Sequence, residues 1–148
     1  MENEETILTT PSRNSLQVTA MTAIYDVLTY ADMGSPVDVE GIVSSLCDLP
    51  YEECDYFVKA NVLMVIKHLQ EMKDAFTPYL RKWTFDRLPR VVQAILLLSY
   101  SHYYYVNPEV SKAVIIDVAV NLAKKYGREK DYGFTNAILD NVLKERLA

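Results

Sequence analysis

Two histidines, His68 and His102, and two cysteines, Cys47 and Cys54, are the groups from which this sequence could build a catalytic or metal site. The histidines fall on different helical segments, and no His-x-x-x-His pair is present. No Gly-x-Ser-x-Gly elbow or glycine-rich phosphate loop occurs, because Gly34, Gly41, Gly127 and Gly133 are scattered. His102 stands beside Tyr103-Tyr104-Tyr105, but no nucleophile or orienting acid lies near it in the sequence, so it reads as a packing residue. The cysteines are too few for a disulfide scaffold or a zinc knuckle and read as reduced, half-buried thiols. The sequence therefore describes a binding protein rather than an enzyme, with no cofactor and no metal.

The chain of 148 residues is the usual size of one domain. Hydrophobic residues make up 50% and charged residues 24%, which argues against wholesale disorder. The longest apolar run, Val91 to Tyr100, is too short for a membrane span. The start, Met1-Glu2-Asn3-Glu4-Glu5, lacks a secretory pattern, so the expected location is cytoplasmic. Both termini read as natural ends.

The net charge of −5 hides an asymmetry. Residues 1–58 hold one basic residue, Arg13, against eleven acidic ones, a net of −10. Residues 59–148 hold fourteen basic against nine acidic, a net of +5. An anionic partner should prefer the second part.

These residues need scaffolding, and the periodicity supplies only helices. Residues 1–10 read as a flexible acidic tail. Leu16, Ala20, Ala23, Ile24, Val27, Leu28 and Ala31 share one helical face, which Gly34-Ser35-Pro36 ends. Val39, Ile42, Val43 and Leu46 predict a short amphipathic helix. Cys54 through Met72 predict one long helix, with Asp74 to Leu80 continuing it or forming a second piece around Pro78. Thr84 to Leu88 reads as a tight turn capped by Thr84. Pro89 opens a helix to about Tyr103 that is apolar nearly all round, hence central. Lys112 to Tyr126, stopped by Gly127, and a last helix capped by Asp131 complete the chain. Phe134, Ile138, Leu139, Val142 and Leu143 form that last helix's inner face. The class is all-α, about seven helices.

Four segments in order then resemble a family. They are Trp83-x-Phe85-x-Arg87-Leu88, Ala94-Ile95-Leu96-Leu97-Leu98, Ile116 to Gly127 with its Lys124-Lys125-Tyr126, and Phe134-x-Asn136-x-x-Leu139-Asp140. With Ala20-x-x-Ala23-Ile24-Tyr25 near the start, they resemble the NusB transcription antitermination family from about Arg13 to Leu143. The resemblance implies one domain over residues 11–148, with packed helical subdomains at about 11–80 and 81–148. It implies pairing with ribosomal protein NusE, binding of boxA-type RNA in ribosomal RNA leaders, and indirect joining of the RNA polymerase elongation complex.

The resemblance also implies sites. RNA is expected across the start of the first helix and the loop before the last, at Arg13, Gln17, Tyr25, Arg128, Lys130, Tyr132 and Phe134. Cations there would take phosphates and aromatic rings would take bases. NusE is expected at Asp86, Arg90, Val92 and Gln93. Val92, read as exposed, could strengthen that contact or a homodimer. Trp83 reads as a packing anchor between the subdomains.

The chain departs from the family pattern in places. The usual arginines opening helix one are reduced to Arg13, with Gln17 at a further arginine position, so RNA binding should be weaker. Tyr100-Ser101-His102 replaces the family's usual Tyr-Glu region, and Val118 stands where the family has an acidic residue. Leu97 stands at an arginine position, and the Leu97 and Val118 changes read as the joint loss of one ion pair. Two rival readings follow: a NusB-fold interaction module that has lost RNA binding, and a fragment of a ribosomal RNA methyltransferase.

Overall fold

The computed structural model describes residues 12–146, and the acidic tail expected over residues 1–10 lies outside them. Ser12 accepts a hydrogen bond from the Ser15 N–H at 3.1 Å and opens α1, Arg13–Asp32. Gly34, at φ +69°, closes it, with the Ser35 N–H donating to the Tyr30 carbonyl. Asp38 caps α2, Val39–Cys47, by accepting from the Gly41 N–H at 3.0 Å. Only Val43 of the four expected apolar positions is fully buried.

The single long helix expected from Cys54 is two helices. Cys54 ends a short 3₁₀ turn, Tyr51–Glu53, and donates its thiol to backbone carbonyls, including Pro50 at 3.5 Å. Asp55 then caps α3, Tyr56–Lys67, and α4 runs Leu69–Phe76. The break falls at His68 rather than at Pro78. The His68 ring stacks on Tyr105 at 4.3 Å, and its Nδ1 lies 2.9 Å from the Glu71 carboxylate, which also accepts from the Tyr105 hydroxyl. These tertiary ties, invisible to local periodicity, hold the two pieces apart from a straight course. Pro78 sits in a 3₁₀ turn, Thr77–Tyr79, where it interrupts nothing.

A 3₁₀ turn at Phe85–Arg87 leads into α5, Arg90–Ser101, which continues into a π-turn over His102–Val106 instead of ending as a plain helix. Thr84 precedes that 3₁₀ turn without a side-chain capping bond. Every residue from Val92 to Ser99 is buried, so α5 is the central helix its composition demanded. It packs against α1, α3, α4 and the last two helices. Its two buried serines are satisfied: Ser99 donates to the Ile95 carbonyl, and Ser101 donates to the Asn61 side chain at 2.8 Å.

Helix α6, Lys112–Tyr126, begins at a Ser111 cap, and α7 spans Asp131–Val142. Asp131 does not cap α7 forward. It is the first helical residue, and its buried carboxylate points back to accept from the Arg128 N–H at 2.8 Å. No strand occurs among the described residues, and seven α-helices do.

Candidate nucleic-acid interface

The expected RNA-contacting residues do not share one surface. Tyr132 and Phe134 are two residues apart on α7, about 200° around its axis, so they face different grooves. Tyr132 lies in the groove between α6 and α7, where Lys124 Nζ stands 5.1 Å from its ring centroid. Phe134, half-buried, lines a groove of about 530 Å³ with Tyr79, Arg81, Lys82 and Trp83.

That second groove gathers aromatic and cationic groups that the sequence pattern did not assign to RNA. Trp83 is 59% exposed, so it is not the packing anchor expected. The turn Leu80–Trp83 presents it: the Trp83 N–H donates to the Leu80 carbonyl at 3.0 Å, and Arg81 takes a left-handed φ of +53°. A non-glycine residue in that region costs about 1–3 kcal/mol, so the surrounding packing enforces the turn. The opposite wall comes from Phe134, Ala137 and Asn141 of α7. Lys144 Nζ stands 3.2 Å from the Tyr79 hydroxyl and 5.5 Å from its ring centroid, adding charge at one end. The signal available in sequence was Tyr79-x-Arg81-Lys82-Trp83, two aromatics and two cations in five residues. A lone tryptophan after a helix break looks like core until the turn geometry is known.

The loop before α7 has a different role for each charge. Arg128 is tied to Asp131 through its main-chain N–H and its guanidinium, whose Nη2 lies 3.1 Å from Asp131 Oδ1. Burial alone would raise the Asp131 pKa, but the Arg128 hydrogen bonds and the charges of Arg128 and Lys130 together bring it below the usual carboxylate range. Gly127 is required in this loop: a Cβ there would stand 2.8 Å from the Ala123 carbonyl and 3.1 Å from Asp131 Oδ2. Lys130 is exposed and forms no ion pair among the described residues.

The Arg13 guanidinium lies over the Phe57 ring, 5.4 Å from its centroid, in a hollow shared with Tyr56, His102 and Asn107. Gln17 is 4% exposed and cannot reach a bound RNA as expected. It faces an interior hollow together with His102 and Val118. These are three of the positions at which the sequence departs from the family pattern, and they meet in space. The lining also includes Leu98 and Ser99. An arginine at position 17 and an acidic residue at position 118 would bury two charges here, and Gln17 with Val118 leaves the hollow uncharged. Burial, then Arg13 nearby, lowers the His102 pKa to about 4, so the imidazole is neutral at pH 7.

The expected partner residues are also divided. Val92 is 1% exposed and Gln93 is 5% exposed, so neither forms a contact surface, and Val92 offers nothing to a homodimer. Both belong to the all-round apolar contact of α5. Gln93 serves the fold instead, because its amide donates to the Leu88 and Asp86 carbonyls and fixes the 3₁₀ turn onto α5. Asp86 and Arg90 remain accessible. Asp86 pairs with Lys73 at 2.7 Å, and Arg90 pairs with Asp32 at 2.5 Å. Tyr25 lies with this group, its ring centroid 5.9 Å from the Arg90 guanidinium. It sits about 18 Å along α1 from Arg13, at ~1.5 Å rise per residue.

The geometry first defines a class: an all-helical protein wound on one apolar helix, with aromatic and cationic side chains lining surface grooves. No cluster of three metal-ligating side chains is present among the described residues. The solved structure of Thermotoga maritima NusB has this fold, with a TM-score of 0.72 and 24% identity over 88% of this chain and 89% of that one. The NusB family profile matches residues 15–144, nearly the whole chain. The transcription antitermination protein NusB of Borreliella burgdorferi is 30% identical over 132 residues, 88% of this chain and 93% of that protein. The Finegoldia magna protein of the same name is 30% identical over 138 residues, 91% of this chain and 96% of its own. The chain belongs to the NusB family.

Proposed function

We propose that the protein is a transcription antitermination factor that pairs with ribosomal protein NusE and binds boxA-type RNA of ribosomal RNA leaders. The observation that carries this reading is the groove between the Leu80–Trp83 turn and α7. It offers Trp83, Tyr79 and Phe134 as stacking faces and Arg81 and Lys82 as phosphate contacts. Stacking plus cationic tracking is the chemistry that holds single-stranded RNA. Tyr132, with Lys124 beside its ring in the α6–α7 groove, offers a stacking face apart from this one, and Lys130 is an exposed cation on the loop before α7.

NusE binding is assigned to the accessible edge formed by Asp86, Arg90 and Tyr25. Asp86 and Asp32 are the exposed members of two surface ion pairs there, with Lys73 and Arg90. RNA and NusE together would connect the protein to the elongating RNA polymerase, without catalysis or cofactor. A NusB-fold interaction module without RNA binding is favoured by one observation, the loss of Gln17 into the interior beside a single Arg13.

Fluorescence anisotropy of labelled boxA RNA, with and without NusE and at two salt concentrations, tests both readings. Binding that NusE strengthens and salt weakens is the expected result. Capture of NusE with no RNA binding at either salt would leave the interaction module.

A further inference from the structure

Another groove, of about 450 Å³, lies between α1 and α2. Helix α1 contributes Asp26 and Tyr30, spaced i and i+4. Asp38 caps α2, and Ile42 and Leu46 follow it at four-residue steps. Two ridges at helical spacing, with apolar side chains between carboxylates, make the shape that receives a helix. Tyr30 and Leu46 are 42% and 37% exposed, and Met33 beyond them is 66% exposed. Scattered apolar side chains need no explanation, but several in one groove mark a contact surface.

The charge identifies the occupant. Between residues 14 and 58 the sequence holds eight acidic residues and no basic one. Asp26 is partly desolvated, which pushes its carboxyl above the usual range, and a cation placed beside it would relieve that cost. RNA is repelled from such a face. The segment Met1–Pro11 carries Glu2, Glu4 and Glu5 and no Lys or Arg, so its charge does not complement the groove. A two-fold dimer through this face would set carboxylates against carboxylates.

We propose that the α1–α2 groove docks a basic amphipathic helix of a protein partner, whose apolar side enters between Tyr30 and Leu46 while its Lys or Arg residues meet Asp26 and Asp38. This surface shares no lining residue with the RNA groove or with Asp86, Arg90 and Tyr25. It gives the protein a third contact, so that RNA, NusE and a basic helix could be held at once.

The test is a fluorescein-labelled 18-residue peptide of Leu and Lys in amphipathic helical order, titrated with the full chain at moderate salt. The same peptide with Glu for Lys is the control. The expected result is saturable binding of the Lys peptide alone. The pair Asp26→Asn and Leu46→Lys should weaken it about tenfold, a ΔΔG of about 1.4 kcal/mol. Tyr30→Ala, at an exposed position, should weaken it at least about threefold and guards against misfolding of the double variant. Glu52→Gln with Glu53→Gln, outside the groove, should stay within about twofold. Equal losses from the groove and the control variants would mean nonspecific charge attraction and overturn the proposal. No binding of the Lys peptide would also overturn it, as would a concentration-dependent dimer that Leu46→Lys abolishes. A change in boxA affinity on Asp26→Asn/Leu46→Lys would place this groove in the RNA surface and overturn it too, whereas failure of RNA binding in the unaltered protein leaves it intact.

Discussion

Replacing Asp131 by alanine isolates the contact that sets the shape of the loop before α7. Its carboxylate is 4% exposed and accepts from the Arg128 main-chain N–H at 2.8 Å. A hydrogen bond from a backbone N–H to a charged acceptor contributes about 1.5–3 kcal/mol. The guanidinium arm of Arg128 is in solvent and screened, so it adds little. Asp131→Ala should therefore cost about 1.5–3 kcal/mol, or about 3–12 °C in Tm for a chain of this length. The sign with pH follows from the depressed Asp131 pKa. The contribution is complete above the unfolded carboxylate value of about 4 and is lost as pH falls through the lower folded value. Urea unfolding of both proteins at pH 7 and at pH 3 is the assay. The gap should be full at pH 7 and smaller at pH 3. A gap below about 0.5 kcal/mol at pH 7, or one unchanged at pH 3, would refute the role given to Asp131.

Three other outcomes follow from single residues. Thr135 is fully buried, and its hydroxyl has no partner among the described residues, so Thr135→Val should raise the urea midpoint by a stabilisation of about 1 kcal/mol. His102 must gain a proton in the unfolded chain at about pH 6.5 but in the folded chain only at about 4. Stability should thus decline by about 3 kcal/mol as pH falls across that window, and His102→Gln should flatten the decline in a pH series of unfolding curves. Trp83→Ala should change stability by less than about 1 kcal/mol, because the ring is mostly in solvent. It should lower boxA affinity by about 5- to 100-fold, the range for one lost base stack, in the anisotropy assay.

The fold was legible where local chemistry decides it. The α1 stop at Gly34, the all-apolar α5 and the limits of α6 are all written in breakers and helical period. The break at His68 was not, because it rests on a stack with Tyr105, 37 positions away in the chain. The surface was harder to read. Val92 and Gln93 were expected at the surface because the family resemblance puts the NusE contact there, yet α5 is buried on that side and Gln93 satisfies the Leu88 and Asp86 carbonyls. Gln17, His102 and Val118 were each visible as departures from the family pattern, but only the packing shows that they form one uncharged cluster. The Trp83 groove depends on a left-handed Arg81, a conformation that an arginine does not announce.

Trp83 is the only tryptophan in the chain, so its intrinsic fluorescence reports directly on the groove assigned to RNA. Titration of the unlabelled protein with boxA-type RNA, in the presence of NusE, should quench that emission in a saturable way, with an affinity that weakens as salt rises. Full RNA binding by anisotropy with unchanged Trp83 emission would place the RNA elsewhere and contradict the assignment of this groove.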